Sequence, residues 1–407
     1  MAFKRKSSFY SVLLTLTAFA LAANALPPLA TTMAQQFAIP YDAFGYIFML
    51  QYLCFSCASL AGGYVQHCFG ISNRVLVLGG VLSTALLLMA GNLLSSFLWV
   101  VFWIIPLGFA GGLTETFSSI MVAEFEQEHS SRLMNLSQVF YCAGAIVAPQ
   151  LIAILLEIQR SWSTTFFFLG LCVLGIGVVF MIFNRPALSP AFSSALPHPE
   201  ESSPPPIGMA LRRDRLFYVM ASLLFLYVVI EISSASWIAA YFEKIFHLSA
   251  GVAARRLSLF WVGLILGRSA MVIAPARLTL WPALIGGTVG MCVGNTLLVL
   301  SRSDAIAAGA VLIYGIAAGP VWPVIVTLSQ HIRRSARFTS GVIGIGALGA
   351  ALGPFLSSLV IRSFGLPWFF PFLALSSLLL LVLILLAKSV VRKTTWKAVP
   401  ASIVPIS

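Results

Sequence analysis

Two glutamates stand where a chain of this composition has little reason to keep them. Glu115 falls within GFAGGLTETFSSIMVAEF (Gly108 to Phe125) and Glu231 within FLYVVIEISSASWIAAYF (Phe225 to Phe242), runs that are otherwise mostly apolar or small. The other acids, Asp42, Glu124, Glu126, Glu128, Glu157, Glu200, Glu201, Asp214, Glu243 and Asp304, can all be placed in loops or at helix ends. An ionisable group inside a membrane segment costs at least about 2.5 kcal/mol, so its retention points by default to function. A carboxyl group withdrawn from water can alternate between neutral and charged forms, which is the chemistry a proton-coupled carrier needs. The plainer alternative is a neutral glutamate tied to a helix backbone or to a neighbouring polar side chain.

Other side chains in runs of the same kind could line a solute pocket: Asn24, Gln51, Gln138, Tyr141, Trp237, Trp261, Asn295 and Trp322. Amides offer paired donors and acceptors that suit hydroxyl-rich solutes. Aromatic faces stack on the apolar faces of a ligand and present a polar tip. For a mid-run Asn or Gln the alternative is interhelical hydrogen bonding. For a Trp or Tyr near the end of a run, Tyr241 in particular, it is an anchor at the membrane interface. Arg74 and Arg268 are gating candidates, and Arg268, near the end of its run, is expected to snorkel to the headgroups. The six cysteines show no zinc or disulfide spacing, and Cys54-x-x-Cys57 reads as small packing residues. No phosphate loop, metal cluster or nucleophile elbow stands out, and the glycines of GIGALGA (Gly344 to Ala350) follow no strand. The chain is therefore not expected to be an enzyme. It calls for no cofactor beyond an ion gradient, read as protons with sodium left open.

The elements that must position these residues follow from composition. Of 407 residues, 59% are hydrophobic and only 9% charged, too few to cover a water-facing surface. At about 20 apolar residues per crossing, the chain divides into twelve spans. They run over 10–31, 43–65, 74–93, 97–123, 134–157 and 164–183, then 215–242, 252–273, 281–300, 304–329, 338–362 and 367–388. Residues 1–183 thus form one six-helix bundle and 215–407 another with a short tail. Between them, 184–214 is a proline-rich linker that cannot build a core. The N-terminal MAFKRK and its apolar run resemble a signal peptide, but the run continues through Thr32 and is read as an uncleaved first span. With the N-terminus inside, 18 Lys and Arg fall on the cytoplasmic side and 6 on the other, which accounts for the net charge of +12 without nucleic acid. Both termini are expected in the cytoplasm, in a cell membrane, on a monomer whose partners are lipid and a small solute.

The halves echo each other. GAIVAP (Gly144 to Pro149) in span five matches GAALGP (Gly349 to Pro354) in span eleven, and GFAGG (Gly108 to Gly112) in span four matches GIAAG (Gly315 to Gly319) in span ten. Registering the second pair sets Trp322 opposite Glu115. The spacing Gly108-x-x-x-Gly112 itself reads as a surface for close helix approach. Parallel six-helix repeats are the layout of major facilitator transporters. The chain resembles that superfamily and, within it, the fucose–galactose–glucose:proton symporter branch. ETFSSIMVAEFEQEHSSRLMNLSQVFYCAGAIVAP is similar to the branch's fourth and fifth helices, and FLYVVIEISSASWIAAYF to its seventh. FWVGLILGR (Phe260 to Arg268) and GPVWP (Gly319 to Pro323) resemble its eighth and tenth. The resemblance implies proton symport of a monosaccharide by alternating access. Glu115 then matches an acid the fucose carriers need, Gln138 a cavity position, and Glu231 an acid of the glucose-type members. Two departures stand out. NALPP (Asn24 to Pro28) lacks the aspartate that the fucose carriers have in helix one. GYVQHCFGISNR (Gly63 to Arg74) has His67 and Cys68 where the superfamily has an Asp-Arg pair, leaving Arg74 to serve the inner gate. Export of drugs or metabolites on the same fold is the competing reading, suited to aromatic pocket residues.

Overall fold

A computed structural model of the chain describes residues 2–125, 130–158, 160–184, 214–273, 280–333 and 336–397. The described residues are helical apart from short connections, and twelve helical spans are long and apolar enough to cross a membrane. They are Lys6–Gln36, Tyr41–Tyr64, Asn73–Leu93, Phe97–Val122, Leu136–Glu157 and Trp162–Phe183, then Arg215–Ile245, Ala250–Met271, Leu280–Leu300, Asp304–Ile332, Gly341–Phe364 and Leu366–Val391. Each lies within a few residues of its expected position. The linker expected over 184–214 falls outside the described residues except at its two ends, Asn184 and Asp214.

Local chemistry sets the boundaries. Ser161, Asp214 and Ser303 cap the starts of spans six, seven and ten, each side chain accepting from a backbone N–H of the first turn. Gly70, with φ of 62°, closes the helix of span two in the left-handed conformation that a side chain would resist. Two spans are broken by proline. Span one is helical over Ala2–Ala23, turns as a 3-10 segment at Pro27–Leu29, and resumes over Ala30–Gln36. Span ten is interrupted between Asp304–Ala318 and Val321–Ile332 by Gly319 and Pro320. Proline supplies no N–H to the preceding turn, so carbonyls at a break need other donors. The Tyr227 hydroxyl donates to the Ala318 carbonyl at the second break (2.9 Å), and just before the first the Ala20 carbonyl accepts both the Asn24 N–H (3.1 Å) and Asn24 Nδ2 (2.9 Å).

Glycine seams bind each half together, in the same way in both. Gly108 and Gly112 of span four press on the Gln51 and Phe55 carbonyls of span two. Gly315 and Gly319 of span ten press likewise on the Phe260 and Leu264 carbonyls of span eight. A Cβ on Gly108 would fall 2.7 Å from the Gln51 oxygen, and one on Gly319 2.5 Å from that of Leu264. Gly144 meets the Thr17 carbonyl of span one at 2.5 Å by the same measure, and Gly349 the Phe225 carbonyl of span seven at 2.5 Å. Two independent seams thus relate spans one, two, four and five to spans seven, eight, ten and eleven.

Across the halves, span five packs on span eight and span two on span eleven. The face where span one begins is called the terminal face here, and the opposite one the distal face. The distal side is sealed. There Arg255 pairs with Glu157, Thr31 donates to Glu243, and Gly45 lies against Ser358. Residues 233–242 of span seven are buried without interruption. Toward the terminal face span two stands freer, with Leu60 80% and Tyr64 71% exposed.

Candidate functional site

Span eight carries the central feature. Trp261 and Arg268 are seven residues apart, two helical turns, and so share a face. That face meets span five as an antiparallel ladder. From the distal side, Ser258 Oγ donates to the Ile146 carbonyl (3.3 Å), and the Trp261 ring meets Tyr141 edge-on at 5.9 Å. One step nearer the terminal face, Arg268 Nη1 donates to Gln138 Oε1 (3.2 Å) and to Cys142 Sγ (3.5 Å). The other arm of the guanidinium turns back into its own half, Nη2 donating to Glu231 Oε1 at 3.2 Å. Both partners of this ion pair are buried, with side chains 13% and 8% exposed. Arg268 Nε and Trp261 Nε1 are buried donors without a partner among the described residues.

Glu115 is arranged differently. It is half-buried in span four and makes no hydrogen bond or ion pair among the described residues, while its neighbour Thr116 donates to Ser59 (2.7 Å). The Tyr52 hydroxyl of span two lies within electrostatic reach of both Glu115 and Glu231. Beside it a small cavity is lined by Phe19, Gln51, Tyr52, Phe55, Leu107 and the span-four glycines Gly108 and Gly111. Its volume of about 10 Å³ is at the lower limit for one water molecule, so these side chains have closed around the space.

The model of the family described as "Major Facilitator Superfamily" matches residues 12–346 of this chain. The chain belongs to the Major Facilitator Superfamily. Among curated proteins, this facilitator is 23% identical over 359 residues to "Bypass of stop codon protein 6" of Saccharomyces cerevisiae (strain ATCC 204508 / S288c), covering 79% of this chain and 70% of that one. Among solved structures it is similar to a point mutant of the nucleoside transporter NupG with a TM-score of 0.76, at 11% identity over 94% of this chain and 99% of that one. A bacterial homolog of the human lysosomal transporter Spinster, inward-facing and unoccupied, gives 0.71 at 15% identity over 98% and 99%. The human organic anion transporter MFSD10 gives 0.66 at 17% identity over 93% and 99%. At these identities the structural likeness speaks for the fold alone, and the family makes this chain a membrane transporter and not an enzyme.

Several expected site residues sit elsewhere in this facilitator than the sequence suggests. Arg268 does not snorkel to the headgroups, because a buried carboxylate and an amide across the interface offer its guanidinium better partners. Trp237 is fully buried in the distal seal, where Nε1 donates to the Pro354 carbonyl (3.1 Å) and the ring packs on Phe48 and Tyr41. Asn295 joins spans nine and twelve through Ser377 Oγ (3.0 Å), within one half. Tyr241 is no interface anchor: it is 5% exposed and packs on Phe370 at 4.5 Å. Asn24 is taken up by the break in span one, although its side chain also reaches Tyr141. Trp322 is partly buried.

Arg74 is exposed at the terminal face, and its neighbour Asn73 contacts the end of the span-four helix within the same half. Asn73 Nδ2 donates to Glu124 Oε1 (2.8 Å), and Gln66 donates to Asn73. Desolvation holds the Glu124 carboxyl above the usual carboxylate range, opposed by the Asn73 hydrogen bond and the charge of Arg74. Sequence reasoning missed Asn73, Glu124, Tyr52 and Cys142 as members of these clusters. Tyr52 had a signal: it follows Gln51 in span two as Trp261 follows Phe260 in span eight, and both Gln51 and Phe260 lie under a glycine seam.

Proposed function

We propose that this facilitator is a secondary active transporter of a small polar solute, a monosaccharide by preference, carried together with a proton by alternating access. The observation that carries the reading is the contrast between its two acids. Glu231 is neutralised by Arg268, whereas Glu115, within electrostatic reach of the same Tyr52, has no partner among the described residues. A carboxyl group free of fixed partners can take up and release a proton without first breaking a salt bridge. Orphan donors at Trp261 and Arg268, with aromatic rings at Phe19, Phe55 and Tyr141, suit a solute that presents oxygens on one side and an apolar face on the other. The resemblance to the sugar:proton symporter branch supports the same choice. In this reading the terminal face is cytoplasmic, the membrane is the cell membrane, and the sealed distal side makes this an inward-leaning conformation.

Reconstituted in vesicles, the Glu115→Gln chain should lose gradient-driven sugar accumulation while retaining exchange of sugar down its own gradient. Full accumulation by that variant would remove Glu115 from the coupling role. The abundance of aromatic lining favours a second reading, export of drugs or metabolites in exchange for protons. Efflux of a lipophilic cation, with no sugar uptake, would select it.

A further inference from the structure

The break in span ten is gripped from two sides. Span eight holds it sterically: a Cβ on Gly319 would fall 2.5 Å from the Leu264 carbonyl oxygen and 2.8 Å from the Arg268 backbone nitrogen. Span seven holds it through the hydrogen bond from the Tyr227 hydroxyl to the Ala318 carbonyl (2.9 Å). That carbonyl falls between the two helical pieces. The first closes with the Gly319 N–H on the Gly315 carbonyl (3.0 Å), and the second opens with the Val324 N–H on the Pro320 carbonyl (3.1 Å). Tyr227 is fully buried, so its proton needs an acceptor inside the protein in any conformation. A second acceptor is at hand. Tyr227 and Glu231 are one turn apart on span seven and share a face, and the hydroxyl lies within hydrogen-bonding reach of both Glu231 and Arg268. Arg268 can only donate, so of these two the carboxylate alone competes for the phenol proton. Arg268 Nη2 takes Glu231 Oε1, and a carboxylate has lone pairs for further donors. Turning the proton from Ala318 to Glu231 is a rotation about the phenol C–O bond. It needs no added space and breaks no ion pair.

We propose that Tyr227 is a positioning residue with two acceptors: on Ala318 it holds the terminal segment of span ten, Val321–Ile332, and on Glu231 it lets that segment swing about the break. The inference rests on the alternating-access reading above, whatever the solute. Span eight, packed on Gly319, serves as the pivot. A buried hydroxyl left without an acceptor is costly, and Glu231 spares the hinge that cost each time Ala318 is released. The pair with Arg268 persists in both positions, so the C-terminal half keeps its charge balance while one of its helices bends.

Hydrogen exchange over Val321–Ile332, read by mass spectrometry on the full chain in lipid nanodiscs, tests the hold and the second acceptor without any solute. Tyr227→Phe keeps the ring and removes the proton, and should speed exchange there roughly two- to tenfold. Tyr314→Phe removes a hydroxyl bonded to Ser234 (2.7 Å), between the same two spans but before the break, and should leave the segment unchanged. No effect of Tyr227→Phe, or the same effect from Tyr314→Phe, would overturn the hold. The second acceptor is tested in the chain carrying Arg268→Met and Glu231→Leu, where Glu231 no longer competes for the proton. Adding Tyr227→Phe there should speed exchange by a larger factor than it does beside the intact pair. An equal factor in both settings would show a single acceptor and overturn the proposal. Arg268→Leu with Glu231→Met replaces the first pair if that chain does not fold. A chain that exchanges as expected yet moves no solute in vesicles would defeat the transport reading and leave the Tyr227 hold standing.

Discussion

The two halves share a skeleton and differ in charge. Counting from the shared seams, Glu231 stands six residues after Phe225, and the matching place after Thr17 is Ala23, next to Asn24. Arg268 stands four after Leu264, and four after Phe55 comes Ser59. Glu115, seven after Gly108, corresponds in register to Trp322, seven after Gly315. Each ionisable residue of the centre therefore has an uncharged counterpart in the other repeat. The common framework packs the helices, and the positions where the repeats disagree hold the chemistry. The C-terminal half holds a compensated pair, and the N-terminal half a single acid.

Removing one member of the compensated pair should have the largest effect on stability. Arg268→Ala leaves Glu231 buried without a counter-ion and should cost about 3–5 kcal/mol, seen as a lowered melting temperature in detergent. The double replacement Arg268→Met with Glu231→Leu should recover most of that loss. If the single and double changes cost the same, the pair is not compensated as described. A smaller effect tests the shared skeleton. Gly319→Ala pushes a methyl group onto the Leu264 carbonyl and should cost about 1–3 kcal/mol, with Gly108→Ala close to it if the seams are equivalent. The smallest effect belongs to the lone acid: Glu115→Gln should change the melting temperature by the equivalent of no more than about 0.5 kcal/mol, because no described partner is lost. A large destabilisation there would place Glu115 in a structural bond and erase the contrast between the halves.

The skeleton was legible in the sequence because the membrane makes it so. Span length is set by bilayer thickness, and the glycine echoes mark places where backbones touch, so both leave periodic traces. Glu115 and Glu231 stood out for the same reason, as charges in apolar runs. What the sequence hid depends on helix rotation and on partners more than a hundred residues away. Arg268, a few residues from the end of its span, looked free to reach the headgroups, and only the facing of span eight on span five turns it inward. Trp237 and Asn295 looked like pocket residues because a run of apolar letters does not say which face meets the cavity. The Asn73–Glu124 contact joins two helix ends that are distant in the chain, with no motif to announce it.

The Glu231–Arg268 pair has an electrical consequence. Its two charges sit 3.2 Å apart and move with the same half, so their sum crosses no part of a membrane potential during a conformational cycle. In a proton-coupled carrier built this way, the voltage acts on the carboxyl group of Glu115 alone. With a neutral solute, each turnover would carry one elementary charge, and a potential of 100 mV would bias it by about 2.3 kcal/mol. Current per solute recorded across a planar bilayer would then count protons directly.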